Sequence, residues 1–286
     1  MKEEFKKQPD GTIEISITIP KKTVKQFYDQ ALTNLAKETE IKGFRKGKAP
    51  KDLVEKQVDK QRIYQEAVQE IVSNAYLQAV KNNDLKPIMS PRIELVSAKE
   101  NQDWQIKITT CQKPTVKLGN WQEIVRTQNA SAKIWLPGQD QGEADKDKPS
   151  QEEKLEKIFT ALVKAAEITL PKMLVEEETT RMLSRLVDQT GKLGLTVEQY
   201  LQSVNKNEES LRAEYAAQAE RTLKMEFILD QIASEEKIEV KDAAVDEMIA
   251  KIPDEETRKS FQQAEQRAYL KQLNRKQRTI DRLLAL

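Results

Sequence analysis

The sequence contains no histidine and a single cysteine, Cys111, among its 286 residues. Without histidine there is no imidazole general base, no Ser–His or Cys–His nucleophile pair and no histidine-ligated metal. One thiol forms neither an intramolecular disulfide nor a thiolate zinc cluster, as expected in a reducing compartment. Cys111 ends the alternating run Trp104, Ile106, Ile108, Thr110 and reads as an ordinary strand residue. Glycine is scarce, with 8 residues, and aromatics make up 5% of the chain. Large sandwiches, barrels and doubly wound sheets need Gly-rich turns and β-branched or aromatic strands, so the composition argues against them. No apolar run reaches the roughly 18 residues of a membrane span. The opening stretch MKEEFKKQPDG lacks the apolar centre of a secretory signal, so a cytoplasmic location is expected.

What is present is charge and helical periodicity. Charged residues make up 33% and apolar residues 38% of the chain, against typical values of roughly 25% and 45–50%. The length suits about two domains. The net charge of +1 hides an asymmetry: residues 1–120 hold 22 Lys/Arg against 16 Asp/Glu, and residues 121–286 hold 26 against 31. A basic front and an acidic back point to an anionic partner at one end.

Along the chain, Ile13, Ile15, Ile17 and Ile19 alternate with polar residues and predict a half-buried strand ended by Pro20. Val24, Phe27, Tyr28, Ala31, Leu32 and Leu35 form one helical stripe from about Thr23. After a Gly- and Pro-containing segment come helices around Asp52–Val58 and Gln61–Asn82, then strands near Arg92–Ser97 and Asp103–Lys113. This order predicts a small α+β domain with an antiparallel sheet. Residues 121–150 contain Trp121, Ile124, Val125, Ile134 and Trp135, which could pair in extended form or dock on a neighbour, followed by a polar stretch. Within it, the run from Pro137 to Pro149 has almost no apolar residue and reads as a flexible linker.

From Ser150 the pattern is helical throughout. Ser150 with Glu153 and Thr196 with Gln199 form capping boxes, and Asn207 can cap a long helix. Pro171 suits the first turn of a helix ending at Gly191, a short helix spans about Ala243–Ile252, and a last one starts near Asp254. The predicted fold is therefore an α+β N-terminal domain, a small antiparallel sheet plus helices, followed by an elongated all-α domain, mainly helical overall. Acidic clusters at Glu176–Glu178, Glu235–Glu236 and Asp254–Glu256 read as helix-end charge rather than metal sites. Arg275, Lys276, Arg278 and Arg282 read as compensation of the last helix's own dipole, with RNA contact as the alternative.

The most specific segment is Gly43-Phe44-Arg45-Lys46-Gly47-Lys48-Ala49-Pro50. Lys42, Arg45, Lys46, Lys48 and Lys51 fall within ten positions with no acid among them. Glycines allow a sharp turn and Pro50 sets the exit, so a loop presenting Phe44 and a cationic cluster to solvent is expected. Cations bind phosphates, and an exposed ring fills an apolar pocket or stacks on a base. Taken alone, such a loop is more often a solvated charge run.

GFRKGKAP, however, resembles the ribosome-docking signature of the trigger factor family, G-F-R-x-G-x-x-P, at Gly43, Phe44, Arg45, Gly47 and Pro50. Five fixed positions recur by chance on the order of 10⁻⁴ times in a chain of this length. The surrounding element order, and the later stretches AAEITLPKMLVEEETTRML, KLGLTVEQYLQ and SLRAEYAAQAERTLKMEFILDQIA, are similar to the family's N- and C-terminal domains. Members usually carry an FK506-binding-type prolyl isomerase domain of roughly a hundred residues between the two. Here about thirty mostly polar residues occupy that place, so the isomerase domain is expected to be missing.

The resemblance implies residues 1–120 as a ribosome-binding domain, 121–150 as a linker and 151–286 as a helical domain for clients. It implies an ATP-independent chaperone and no enzyme, with no cofactor and no metal. Expected partners are the large ribosomal subunit near the exit tunnel, through ribosomal protein and rRNA, and nascent and unfolded polypeptides. A second copy of the chain is a further possible partner, and a membrane is not. Gly43, Phe44, Arg45, Lys46, Gly47, Lys48 and Pro50 are the expected ribosome contacts, and no G-x-x-x-x-G-K-[ST] phosphate loop occurs. Met173, Met182, Met225 and Met248 are candidate client contacts because thioethers repack readily, although such residues equally fill helix–helix cores. Two alternatives stay open: a residual prolyl isomerase, and an RNA-binding or scaffolding module without chaperone activity.

Overall fold

A computed structural model of the chain describes residues 2–40, 44, 45, 47, 50–99, 102–131 and 150–286. They form two compact units, Met1–Lys113 with Pro171–Leu174, and Pro114–Leu170 with Val175–Leu286.

The first unit is built on strands β1 (Lys2–Lys7), β2 (Thr12–Ile19), β3 (Arg92–Ser97) and β4 (Trp104–Cys111), with helices α1 (Lys21–Glu38), α2 (Lys51–Gln57) and α3 (Lys60–Asn82). The sheet is antiparallel in the order β1-β2-β4-β3. Its register aligns Phe5, Ile15, Ile108 and Ile93 across one face, and Glu3, Ile17, Ile106 and Leu95 in the next row. Directly paired residues point to the same side, so the alternating isoleucines of β2 meet those of β4. The helices cover this face: Ile71, Val72, Ala75 and Ala79 of α3 close a core with Ile13, Ile15, Ile17, Ile19, Trp104, Ile106 and Ile108. A second small core joins Ala31, Leu32, Leu35 and Ala36 of α1 to Val54 of α2 and Ile63 and Ala67 of α3. The α+β domain expected from the sequence is present, with one strand more: β1 is a charged run, KEEFKK, without apolar alternation.

The second unit holds the two-residue strands β5 (Val116–Lys117) and β6 (Glu167–Ile168), which pair antiparallel. Its helices are α4 (Trp121–Ser131), α5 (Gln151–Ala165), most of α6 (Lys172–Lys192), α7 (Val197–Ser203), α8 (Glu208–Glu235), α9 (Asp242–Ala250), α10 (Glu255–Ser260) and α11 (Ala264–Ala285). The main core gathers Trp121, Val125, Ile158, Leu162, Ile228, Leu229, Ile232 and Leu283 from α4, α5, α8 and α11. A smaller one packs Val240, Val245 and Ile249 against Leu270.

Three sequence expectations change here. Residues 121–131, inside the expected 121–150 linker, form a helix, and of the two alternatives Trp121 and Val125 dock on neighbouring elements and do not pair in extended form. The indole N–H of Trp121 donates to Glu235 Oε2 at 2.9 Å. Ile134, Trp135 and the rest of the expected linker up to 149 lie outside the described residues. Gly191 is helical, and the left-handed turn that ends α6 falls on Gly194, φ +73°. The last helix is two: Asp254 caps α10 by accepting from the Thr257 backbone N–H at 2.7 Å, and α11 restarts at Ala264. The capping boxes at Ser150–Glu153 and Thr196–Gln199, and the cap at Asn207, form as expected.

Candidate functional site

The loop between α1 and α2 leaves the small three-helix core, which fixes both of its ends. On one side Thr39 closes α1, its backbone N–H and hydroxyl both donating to the Leu35 carbonyl, at 2.9 and 2.7 Å. On the other, Pro50 caps α2, and its carbonyl accepts from Leu53 and Val54 at 3.1 and 3.2 Å. Tyr28 on α1 donates its hydroxyl to Glu55 Oε1 on α2 at 3.1 Å, tying the two helices together beside the loop. Its ring stands 4.9 Å from that of Tyr64, which stands 6.0 Å from that of Trp104. Rigid packing therefore runs from the loop's base to the sheet.

Between these anchors Phe44 is 44% exposed and Arg45 is exposed. No ion pair of Arg45 is found among the described residues. An aromatic ring and a guanidinium held out to water are poorly explained by folding alone, because burial of the ring would contribute roughly 1.5–3 kcal/mol. Gly47 adopts φ +79°, and a Cβ built there would stand 3.3 Å from the Lys37 carbonyl oxygen. The turn is thus pressed onto the last turn of α1, where only glycine fits without strain. Gly43, Lys46 and Lys48 lie outside the described residues.

The four methionines are divided between the two units. Met173 is buried in the first unit, while Met225 packs on the main core of the second and Met248 on its smaller core. Met248 Sδ also accepts from Asn274 Nδ2 at 2.9 Å. Met182 is half-buried on α6.

The strongest apolar exposure in the second unit lies elsewhere. Leu193 is 75% exposed at the α6–α7 turn, with Val187, Leu195 and Val197 exposed around it. The sequence carries a usable signal for this site: in Lys-Leu-Gly-Leu-Thr two leucines flank a turn glycine, where polar residues are the rule.

Of the four α11 cations singled out in the sequence, Arg275, Arg278 and Arg282 are engaged internally. Arg275 donates Nε to the Ile238 carbonyl at 3.1 Å and Nη2 to Ser234 Oγ at 2.9 Å, and pairs with Asp230. Arg278 donates to the Glu239 carbonyl at 3.2 Å, and Arg282 pairs with Glu236 at 3.1 Å. The helix end they serve is that of α8 and its following turn, not the end of α11. Cys111 is fully buried, and burial, with a smaller push from the Asp10 charge, raises its thiol pKa to about 11. No described helix is long and apolar enough to cross a membrane.

Comparison with known proteins covers nearly the whole chain. The family profile described as bacterial trigger factor protein matches residues 1–134, and that of the trigger factor C-terminus matches residues 139–285. The two matches nearly adjoin. Among curated relatives, trigger factor of Staphylococcus carnosus is 35% identical over 117 residues, 41% of this chain and 27% of that protein. Trigger factor of Pelotomaculum thermopropionicum is 32% identical over 127 residues, 44% of this chain and 29% of that protein. The matched stretches thus span little more than a quarter of these relatives' own length. A solved trigger factor chaperone, described for promiscuous substrate recognition in folding and assembly, shares the fold at TM-score 0.67 and 13% identity, over 100% of this chain and 99% of that one.

Proposed function

The chain belongs to the bacterial trigger factor family, and on that premise we propose that it is an ATP-independent chaperone of the cytoplasm. It docks on the large ribosomal subunit near the exit tunnel through residues 43–50 and holds nascent or unfolded polypeptides. The observation that carries this reading is the exposed Phe44–Arg45 pair, set between two anchored helix ends by a glycine that only its left-handed turn explains. Arg45, with Lys46 and Lys48, meets rRNA phosphates or acidic side chains of a rim protein, and Phe44 supplies the apolar anchor. The exposed leucines at the α6–α7 turn, Leu193 and Leu195, offer a client-facing apolar surface.

Prolyl isomerase activity is not part of this proposal. The two family matches are separated only by residues 135–138, which leaves no room between them for a domain of a hundred residues. Release follows from weak, multi-point contact and from the client's own folding, without nucleotide.

The test is ribosome co-sedimentation of the wild type beside Phe44→Ala/Arg45→Ala/Lys46→Ala. The variant is expected to stay in the supernatant with an unchanged circular dichroism spectrum, and wild-type docking should weaken as salt is added. Unaltered sedimentation of the variant refutes the docking assignment. Suppression of aggregation of an unfolded protein at stoichiometric ratio separates a chaperone from an RNA-binding module, and turnover of a proline tetrapeptide would reinstate the isomerase.

A further inference from the structure

The sheet of the first unit treats its two edges differently. β1 carries Glu3, Glu4, Lys6 and Lys7, the charges that keep an edge from pairing with other chains. The outer edge of β3 pairs with no strand among the described residues, yet Ile93, Leu95 and Val96 are 43%, 47% and 61% exposed. Ile93 and Leu95 are aligned with Ile108 and Ile106 and so belong to the helix-covered face, but they stay outside the core that those residues form. α3 stops short of covering them.

What remains is an open cavity of about 670 Å³ between α3 and β3, within the range of roughly 300–1,000 Å³ usual for binding pockets. Its floor is Trp104, 2% exposed, and Ile93 and Leu95 form one wall. The other wall belongs to α3: Tyr64, Val68 and Val72 face inward, and Gln61, Gln65 and Gln69 follow one another at four-residue spacing along the rim. None of the described residues lining it is charged, in a chain in which 33% are. Neutral amides donate and accept hydrogen bonds equally well, which suits a peptide backbone. Charge is therefore matched by its absence, and alongside lies a strand edge that no other strand pairs with among the described residues.

We propose that this groove takes an extended, uncharged, apolar segment of an unfolded polypeptide, added as a further strand to the edge of β3. Alternate side chains enter the cavity over Trp104, the strand edge satisfies the segment's amides, and the glutamines hold the rest. The proposal rests on the chaperone reading above and adds to it a client site in the ribosome-binding unit, separate from the docking loop.

The probe is a fluorescent peptide with leucine at alternate positions, threonine between, blocked ends, and neutral, lysine or glutamate flanks, titrated with the full chain. Leu95→Glu puts a charge in the apolar wall at an exposed position and should weaken binding of the neutral peptide by about tenfold or more. Gln65→Glu/Gln69→Glu changes surface helix positions to an equally good helix former. It should strengthen the lysine-flanked peptide and weaken the glutamate-flanked one. Bound peptide should slow amide exchange at Ile93–Val96, and both variants should still sediment with ribosomes.

Unchanged peptide affinity in both variants, with wild-type aggregation suppression intact, overturns the groove and leaves the chaperone reading standing. A wild type that neither binds peptide nor suppresses aggregation overturns that reading as well. If Leu95→Glu turns a dimer into a monomer in sedimentation velocity without moving peptide affinity, the groove joins two copies of the chain and the proposal fails.

Discussion

Replacing Gly47 by alanine tests whether the geometry of the loop, and not merely its composition, presents Phe44 and Arg45. At φ +79° an L-residue costs about 1–2 kcal/mol more than glycine. The added methyl group also stands 3.3 Å from the Lys37 carbonyl oxygen and 3.5 Å from its Cα, so α1 or the turn must yield by a few tenths of an ångström. The turn escapes by lifting off α1, which leaves the three-helix core untouched and the docking conformer underpopulated. If that conformer is the one that binds, the whole strain appears in affinity, as a loss of about 5–30-fold. Ribosome binding measured by anisotropy of a labelled chain gives the ratio directly. Gly47→Asn sharpens the comparison, because asparagine enters the left-handed region several-fold more readily than alanine while carrying the same Cβ. Asparagine should therefore recover a good part of the loss. Binding of Gly47→Ala within about twofold of wild type would refute the idea that this turn positions the contact residues.

Two further outcomes concern the scaffold. Arg275→Lys keeps the charge but cannot reach Asp230, Ser234 Oγ and the Ile238 carbonyl together, so urea unfolding followed by helical ellipticity should lose about 1–2 kcal/mol; an unchanged midpoint counts against α11 as the clamp on the end of α8. The Cys111 thiol, raised from 9.0 to about 11, should resist iodoacetamide in the native chain at pH 9 and react readily once denatured. Its folded form keeps its proton to higher pH than its unfolded form, so this group's contribution to stability falls as pH rises from about 9 to about 11. Fast native labelling at pH 9 would show the strand to be open.

The elements that announced themselves were those in which one local rule dominates. The isoleucine alternation of β2, the stripe of α1 and the three N-caps each depend on residues within one or two turns of each other, and they appear where expected. β1 has no such signature, because its pairing with β2 is a tertiary event and its residues were chosen to guard an edge. α4 was obscured by its polar neighbours: Trp121 and Val125 make sense only once α5, α8 and α11 supply the core around them. The segment 43–50 stood out because its composition is improbable, whereas the groove beside β3 did not. Ile93 and Leu95 look like any core residues in sequence, and only the reach of α3 decides that they stay uncovered.

The pairing of Val116–Lys117 with Glu167–Ile168 brings the chain back to where it left, after an excursion that holds α4 and α5. These two helices pack on each other, with Trp121 and Val125 on one and Ile158 and Leu162 on the other fixed in the same core. Anything spliced between Ser131 and Ser150 would thus meet two ends already held in place, and lengthening a closed loop costs only about 0.6 kcal/mol per doubling. A folded module whose own termini lie close together, spliced into that junction, should therefore leave the helices on either side in their seats.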